Sequence, residues 1–167
     1  YTTRSLITTV DKQALREAPT QYPEAIASRY LQLPETLPDR VRQLAVEVTA
    51  GAETAYDQAA ALERYLRQEI AYNDKIAPPP AGADGVDYFL FDVRAGYCDY
   101  YASAMAVMAR ALGIPARIAS RYAEGTWDEE ARAYQVRELD AHTWVEIYFP
   151  GYGWIEFEPT AAQPAIE

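Results

Sequence analysis

Cysteine, histidine and basic residues are scarce in this sequence of 167 residues. The single cysteine, Cys98, excludes an internal disulfide. The single histidine, His142, leaves too few ligands for a Cys/His zinc site, which needs three or four. Lys and Arg number 15 against 25 Asp and Glu, a formal charge of -10. Because so acidic a chain repels phosphate backbones, we expect no nucleic-acid partner.

Long apolar runs and metal-binding repeats are also missing. No hydrophobic stretch approaches the length of a membrane span, and we expect no signal peptide among the first residues given. No set of carboxylates has EF-hand spacing, so we expect no calcium requirement and no cofactor. The chain begins at Tyr1 rather than at a methionine, and we expect it to be part of a longer protein.

The residues that are present suffice for one folded domain. Half of them are hydrophobic and 13% are aromatic, which allows a sizeable core. Apolar residues recur at helical spacing along residues 41–48 and 55–70, and Thr54 is placed to cap the second of these helices. A third helix is predicted from Asp99 to Leu112, with Gly113 at its stop.

Beyond the third helix the apolar residues alternate, which is typical of strands. The predicted strands are Ala116–Tyr122, Tyr134–Arg137, Ala141–Phe149 and Trp154–Glu158, with Thr3–Val10 as a further candidate near the start of the chain. Helices followed by antiparallel strands indicate an α+β fold.

Cys98 stands between a glycine-preceded turn and the predicted helix start. The free N–H groups and the positive end of the helix dipole face a thiol in this position, a setting that lowers a thiol pKa. Taken alone, however, a free cysteine is more often a small buried residue. His142, taken alone, is likewise more often a hydrogen-bonded histidine on a half-buried strand face.

The two residues together change the interpretation. A cysteine nucleophile needs a base that takes its proton and an acid that protonates the leaving amine, and a third polar group must orient the imidazole. Strand parity leaves three acids for that last role: Asp140, Glu156 and Glu158.

The register of the last hairpin bears on this choice. One register places Glu156 opposite Glu146, a second places Glu158 opposite Glu146, and a third places Glu158 opposite His142. The first two put like charges face to face, which costs about 0.2–1 kcal/mol, so the charge pattern favours the third.

Four motifs follow one another in the second half of the chain. They are Gly96-Tyr97-Cys98, Arg110 to Arg117 (RALGIPAR), Ala141 to Glu146 (AHTWVE) and Gly153 to Thr160 (GWIEFEPT). In their order and spacing they resemble the bacterial transglutaminase-like superfamily, and most closely its membrane-anchored branch. The likeness covers about residues 31–162. It suggests a division into an N-terminal extension that packs on the core, residues 1–30, and a transglutaminase-like catalytic domain, residues 31–167.

The resemblance implies a papain-like core, in which the helix that carries the nucleophile packs on an antiparallel β-sheet. It implies Cys98 as nucleophile, His142 as general base and acid, and Glu158, before Pro159, as the acid that orients the imidazole. The family's simplest pattern has Asp where Glu158 stands, and the longer side chain should still reach. Arg121 stands where glycine is usual, which leaves the local strand path open.

The activity implied is acyl transfer from a protein or peptide carboxamide through a Cys98 thioester, ending in crosslinking, amine transfer or hydrolysis. A non-catalytic binding or scaffold domain on the same fold is the alternative. A relative of peptide N-glycanases is disfavoured because no zinc-type cysteine cluster is present. The likeness also implies an extracytoplasmic location and flanking transmembrane segments in a longer parent protein.

Other polar and aromatic residues have less specific roles. The resemblance makes Arg110 and Arg117 structural, although a solvent-facing Arg110 fits equally well. Six aromatic residues could line an acyl-chain groove, but aromatic residues on a sheet more often belong to the core, which we favour for each. They are Tyr100, Tyr101, Tyr122, Trp127, Tyr134 and Trp144.

Overall fold

The computed structural model describes residues 10–122, 125–137 and 140–164. The helices within these ranges are α1 (Lys12–Arg16), α2 (Glu24–Tyr30), α3 (Asp39–Val48), α4 (Ala55–Glu69), α5 (Gly85–Asp87) and α6 (Cys98–Ala111). A π-helical segment, Tyr88–Val93, directly follows α5. In these three ranges no helix has the length and apolar character needed to cross a bilayer. The strand predicted at Thr3–Val10 lies, except for its last residue, outside the described residues.

The strands in the described residues form one central sheet and two short pairs. They are β1 (Ala71–Tyr72), β2 (Ala95–Gly96), β3 (Ala116–Tyr122), β4 (Thr126–Asp128), β5 (Ala133–Gln135), β6 (Ala141–Phe149) and β7 (Gly153–Phe157). The central sheet is antiparallel in the order β3-β6-β7, β1 pairs with β2 in parallel, and β4 pairs with β5 antiparallel. The predicted α+β class is confirmed.

Local sequence signals explain where the two long helices begin and end. The Thr54 hydroxyl accepts the main-chain N–H of Asp57 at 3.1 Å and caps α4 as predicted. Helix α6 begins at Cys98, one residue earlier than predicted, and Gly113 follows it with a left-handed φ of 78°. The main-chain N–H of Gly113 bonds to the carbonyl of Arg110, which satisfies one of the free carbonyls at the helix end.

The core lies between α6 and the central sheet. The buried face of α6 consists largely of small residues, among them Ala102, Ala106 and Ala109. Small side chains let the helix approach the sheet closely, so that Val145 and Ile147 of β6 are fully buried beneath it. Burial of each such aliphatic side chain contributes about 1.5–3 kcal/mol. The predicted packing of the Cys98 helix on an antiparallel sheet is confirmed.

The register of the β6–β7 hairpin differs from the one that the charge pattern favoured. Glu146 pairs with Glu156, so Glu158 is not opposite His142 and lies beyond the end of β7. The like charges are tolerated because the guanidinium of Arg117 bonds to the carboxylate of Glu146. A charge on β3, outside the hairpin, thus offsets the repulsion within it.

The described part of the first thirty residues is in contact with the rest of the fold. Leu15 of α1 is buried in the core, and the guanidinium of Arg16 bonds to the carboxylate of Asp57 at 2.9 Å. The ring of Tyr30 meets that of Trp154 edge-on, with centroids 4.7 Å apart. A division of the chain at residue 30 stays a prediction.

Candidate active site

Cys98 occupies the first position of α6, and Gly96 makes this start possible. The strand pair β1–β2 leads into the helix, and Gly96 lies against the ring of Phe89. A Cβ at residue 96 would stand 2.9 Å from that ring and 3.1 Å from Cβ of Tyr100. Tyr97 caps the helix in an extended conformation with no side-chain hydrogen bond to the cap. The side chain of Tyr97 therefore leaves the main-chain N–H groups at the start of α6, next to the thiol, without a capping bond from it.

The thiol of Cys98 is half-buried, and its pKa is raised above the ordinary value. Burial is the largest cause, and the negative charge of Asp99 adds to it. The N–H and hydroxyl of Thr143, together with the N–H of Asp99, lie near the sulfur and act in the opposite direction. The sequence predicted a lowered pKa from the helix dipole, and this was wrong: burial and the adjacent carboxylate of Asp99 raise the pKa of the thiol instead.

His142 lies near the start of β6, where it pairs with Arg121 of β3. Its Nε2 contacts Oε2 of Glu158, and its side chain is 18% exposed. The indole of Trp144 runs nearly parallel to the imidazole at 20°, with ring centroids 6.4 Å apart. The guanidinium of Arg121 lies 4.8 Å from the centroid of that indole. The pairing of Arg121 with His142 shows that β3 continues regularly through the position where glycine is usual in the family.

Glu158 is the acid that meets His142, and it is only 5% exposed. Its second carboxylate oxygen, Oε1, accepts the N–H of Thr160 at 2.9 Å. Of the other two candidates, Asp140 accepts the N–H of Arg137 at 2.6 Å and Glu156 faces Glu146. The structure thus brings His142 and Glu158 into direct contact and sets Cys98 against Thr143, the neighbour of His142 in the chain.

Sequence reasoning assigned no site role to three residues around these groups. Glu63 and Arg67 of α4 bond to the main chain at Glu158, and Thr143 lies against the thiol. Glu63 and Arg67 lie off the apolar stripe of α4, four residues apart and opposite in charge. That spacing is the one signal that could have marked them, but it equally fits a solvated ion pair.

The two arginines that flank the exit of α6 have structural contacts. Arg110 donates to the carbonyl of Ala116 at 2.8 and 3.0 Å and to that of Gln32 at 3.0 Å, so it does not simply face solvent. Besides bonding to Glu146, the Arg117 guanidinium lies 4.2 Å from the ring centroid of Trp154.

The six aromatic residues divide between core and surface. Tyr101 and Trp144 are buried, and Tyr100 is half-buried. Tyr122, Trp127 and Tyr134 are exposed, so the preference for a core role was wrong for these three. Trp127 and Tyr134 are exposed because β4 and β5 form a two-stranded hairpin separate from the central sheet, on which the two rings meet edge-on with centroids 5.0 Å apart. Tyr122 is the last residue of β3.

A cavity of about 350 Å³ opens beside the start of α6. Its walls include Tyr97, Asp99 and Ser103 from the α6 region and Asp84 from the loop before α5. The Sγ atom of Cys98 lies 3.9 Å from Oδ1 of Asp99, one of the residues that line this cavity. Among the described residues, no three Cys, His, Asp or Glu side chains converge as a metal site would require.

Comparisons with known proteins identify the family of the chain. The family model for the Transglutaminase-like superfamily matches residues 42–159. The uncharacterized protein YebA of Bacillus subtilis (strain 168) is 42% identical over 140 residues, which cover 80% of this chain and 19% of YebA. A protein-glutamine gamma-glutamyltransferase of Pseudomonas aeruginosa is 44% identical over 149 residues, 89% of this chain and 22% of that protein. The chain spans about a fifth of the length of the curated relatives it matches.

Solved structures show the same fold. The periplasmic domain of TgpA from Pseudomonas aeruginosa, bound to ethylmercury, superposes with a TM-score of 0.73 at 40% identity, over 84% of this chain and 50% of that one. A protein of Cytophaga hutchinsonii, provisionally described as a cysteine protease, superposes with a TM-score of 0.67 at 22% identity, over 93% and 49% of the two chains. The chain belongs to the transglutaminase-like superfamily.

Proposed function

We propose that this domain catalyses cysteine-dependent acyl transfer on carboxamides of proteins or peptides. Cys98 is the nucleophile, His142 the general base and acid, and Glu158 the acid that orients the imidazole. The observation that carries the proposal is the contact between His142 Nε2 and the buried Glu158 carboxylate, next to a cysteine that begins a helix. A relative named protein-glutamine gamma-glutamyltransferase supports the same class of reaction.

The contact also assigns the two imidazole nitrogens. Because Nε2 faces Glu158, Nδ1 is the nitrogen left to exchange a proton with Cys98. The raised pKa of the thiol means that Cys98 rests in the protonated form near neutral pH. Nδ1 therefore takes the thiol proton as the sulfur attacks, and Glu158 stabilises the imidazolium that forms.

The attack converts the carboxamide carbonyl into a tetrahedral oxyanion. The main-chain N–H of Cys98, at the start of α6, is the donor that we assign to this oxyanion. Collapse breaks the C–N bond, ammonia or an amine leaves with the proton held by His142, and a Cys98 thioester remains.

The thioester is resolved by a second nucleophile. A primary amine forms a new C–N bond and gives a crosslink or amine transfer, whereas water gives the free acid. In both cases the S–C bond breaks and the thiol regains a proton from His142. The cavity beside α6 is large enough for a substrate side chain, and it is lined by Asp99, the neighbour of Cys98, which supports a protein or peptide substrate.

We also propose an extracytoplasmic location, within a longer protein that has transmembrane segments. The similarity to a periplasmic domain supports the location. The proposal of a longer parent protein is supported by the length of the relatives, of which this chain covers about a fifth.

Mass spectrometry tests the reaction directly. The domain is incubated with a protein that contains Gln and Lys and with a primary amine, and crosslinks, amine adducts, deamidation and cleavage are scored together. Cys98→Ala should abolish all of these products and leave the thermal unfolding midpoint nearly unchanged, because a small side chain is replaced at a helix start. Turnover by Cys98→Ala at a comparable rate would remove Cys98 as the nucleophile.

The raised thiol pKa supports a second candidate, a non-catalytic binding domain on this fold. Labelling with iodoacetamide at neutral pH separates the two candidates. An acyl-transfer site predicts that Glu158→Gln slows the labelling, because His142 then supports the thiolate less well. A binding domain predicts the same slow labelling in both proteins.

A further inference from the structure

Glu158 leaves the sheet before its side chain meets His142. Strand β7 ends at Phe157, so no ladder bond of the sheet holds the main chain at Glu158. Instead, its N–H donates to Oε1 of Glu63 at 2.8 Å, and its carbonyl accepts from Nη1 of Arg67 at 2.8 Å. The partners of Glu158 come from helix α4, 95 and 91 residues earlier in the chain.

Glu63 and Arg67 act on Glu158 from one face of α4, since residues four apart are neighbours on a helix. The Arg67 guanidinium also donates to the carbonyls of Thr160 at 2.9 Å and Gln163 at 2.8 Å. One side chain therefore holds three carbonyls of the segment that follows β7. Its planar fork of five N–H donors is suited to this, whereas a lysine has a single nitrogen.

The fixed main chain determines how the Glu158 carboxylate is shared. Oε1 accepts the N–H of Thr160, whose carbonyl is itself held by Arg67. The other oxygen, Oε2, therefore faces Nε2 of His142 and contacts it. A shift of the main chain at residue 158 would move both oxygens and break the contact with the imidazole.

The charged form of the Glu63 carboxylate is disfavoured by its surroundings. Burial raises its pKa and the charge of Glu158 adds to the effect, whereas the N–H of Glu158 and the charges of Arg67 and Lys12 oppose it. Glu63 is half-buried, and a partly desolvated charge adds little stability over apolar packing of the same volume. Attachment of the last segment to α4 would therefore not require a second, half-buried carboxylate next to Glu158.

We propose that Glu63 and Arg67 are positioning residues of the acyl-transfer site, which hold the main chain at Glu158 so that its carboxylate stays against His142. The inference rests on the proposed function, because this geometry matters to a reaction only if His142 exchanges a proton with Cys98.

The kinetic test compares variants that keep or remove the hydrogen bonds. Glu63→Gln retains an oxygen that can accept the Glu158 N–H, whereas Glu63→Leu does not. Arg67→Lys keeps the charge without the fork, and Arg67→Met removes both. We expect kcat for acylation to fall roughly 10–100-fold in Glu63→Leu and Arg67→Met with KM unchanged. Glu63→Gln should retain most of the rate, and Arg64→Met, at an exposed position of the same helix, is the matched control.

A second readout follows the His142–Glu158 contact without substrate. Because the chain has one histidine, the proton between Nε2 and the carboxylate gives a single far-downfield resonance in a proton NMR spectrum. We expect this resonance in the wild type, Glu63→Gln and Arg64→Met. It should be lost or broadened in Glu63→Leu and Arg67→Met, as in Glu158→Gln. Thermal unfolding shows which variants fold, and Arg67→Lys, the milder change, should give an intermediate signal.

The outcomes separate the two proposals. If the wild type acylates substrate and folded Glu63→Leu and Arg67→Met keep both kcat and the resonance, the positioning role is wrong and the proposed function stands. A loss of rate with the resonance intact also contradicts positioning. A folded wild type that acylates none of the carboxamides offered overturns the proposed function itself.

Discussion

Glu146 and Glu156 lie directly opposite each other in the β6–β7 hairpin, although both carry a negative charge. Arg117 lies on β3, the strand that flanks β6 on the side away from β7. Its guanidinium bonds to Glu146 and offsets the repulsion between the two glutamates. Three strands are therefore linked by charge on the face of the sheet that also carries Trp144.

Removal of the Arg117 charge should weaken this sheet. We expect Arg117→Met to lower the free energy of unfolding by about 1 kcal/mol, because Glu146 then faces Glu156 without compensation. Adding Glu146→Gln to Arg117→Met should recover part of the loss, since the like-charge pair is gone. Urea unfolding of the two single variants and the double variant measures the coupling, and no recovery would contradict the role given to the charge.

The thiol of Cys98 should respond to the charge beside it. Asp99 raises the pKa of Cys98, so Asp99→Asn should lower it and increase the fraction of thiolate at neutral pH. We expect iodoacetamide labelling at pH 7 to become faster, because a larger fraction of the thiol is then ionised. In a pH series the midpoint of labelling should move to lower pH. The exposed Glu47→Gln serves as the control, and an unchanged midpoint in Asp99→Asn would rule out this charge effect.

The orienting acid can be distinguished from its neighbours by single-turnover acylation. Glu158→Gln should lower the rate by up to about 10⁴-fold, because an amide neither fixes the imidazole tautomer nor supports the imidazolium. Glu156→Gln and Asp140→Asn should stay close to the wild type, since these acids have other partners. Glu158→Asp should keep much of the activity, as Asp is the family's usual acid. Equal rates for Glu158→Gln and the wild type would remove Glu158 from the site.

Gly96 should tolerate no side chain. A Cβ there would stand 2.9 Å from the Phe89 ring, and overpacking of this kind costs roughly 1–3 kcal/mol. We expect Gly96→Ala to lower the unfolding midpoint and to slow acylation, because the start of α6 must shift. Gly51→Ala is the matched control, since a Cβ at residue 51 meets no atom within 4 Å. Similar behaviour of the two variants would contradict this account.

Acylation should not depend on calcium. No EF-hand spacing occurs in the sequence, and the described residues contain no group that could hold a metal ion. We expect equal rates in EDTA, in EGTA and with added Ca²⁺. A rate that is lost in chelator and restored by Ca²⁺ would contradict the prediction.

The bounds of the main elements could be predicted because the deciding signals are local. Thr54 caps α4, Gly113 terminates α6, and the alternation along residues 141–149 gives the bounds of β6. The order and spacing of the four motifs around Cys98 and His142 likewise identified the family, since they need no three-dimensional information.

The charge environment of the site could not be predicted in the same way. The hairpin register depended on Arg117, which lies on a third strand outside the pair considered. The thiol pKa depended on how deeply Cys98 is buried, and the helix position alone does not give that. The bonds from Glu63 and Arg67 to Glu158 join residues more than 90 positions apart, which a local pattern cannot reveal.

The attachment of Glu158 to helix α4 also has a consequence for the ribosome-bound chain. The thiol and the imidazole belong to segments that are synthesised before residue 158, and α4 is complete long before either. A nascent chain that ends before Glu158 would hold a cysteine and a histidine with no acid to orient the imidazole. On the proposed function, full reactivity toward carboxamides requires the segment after β7 to dock on α4, so a translation product truncated before that point should react far more slowly with neighbouring proteins.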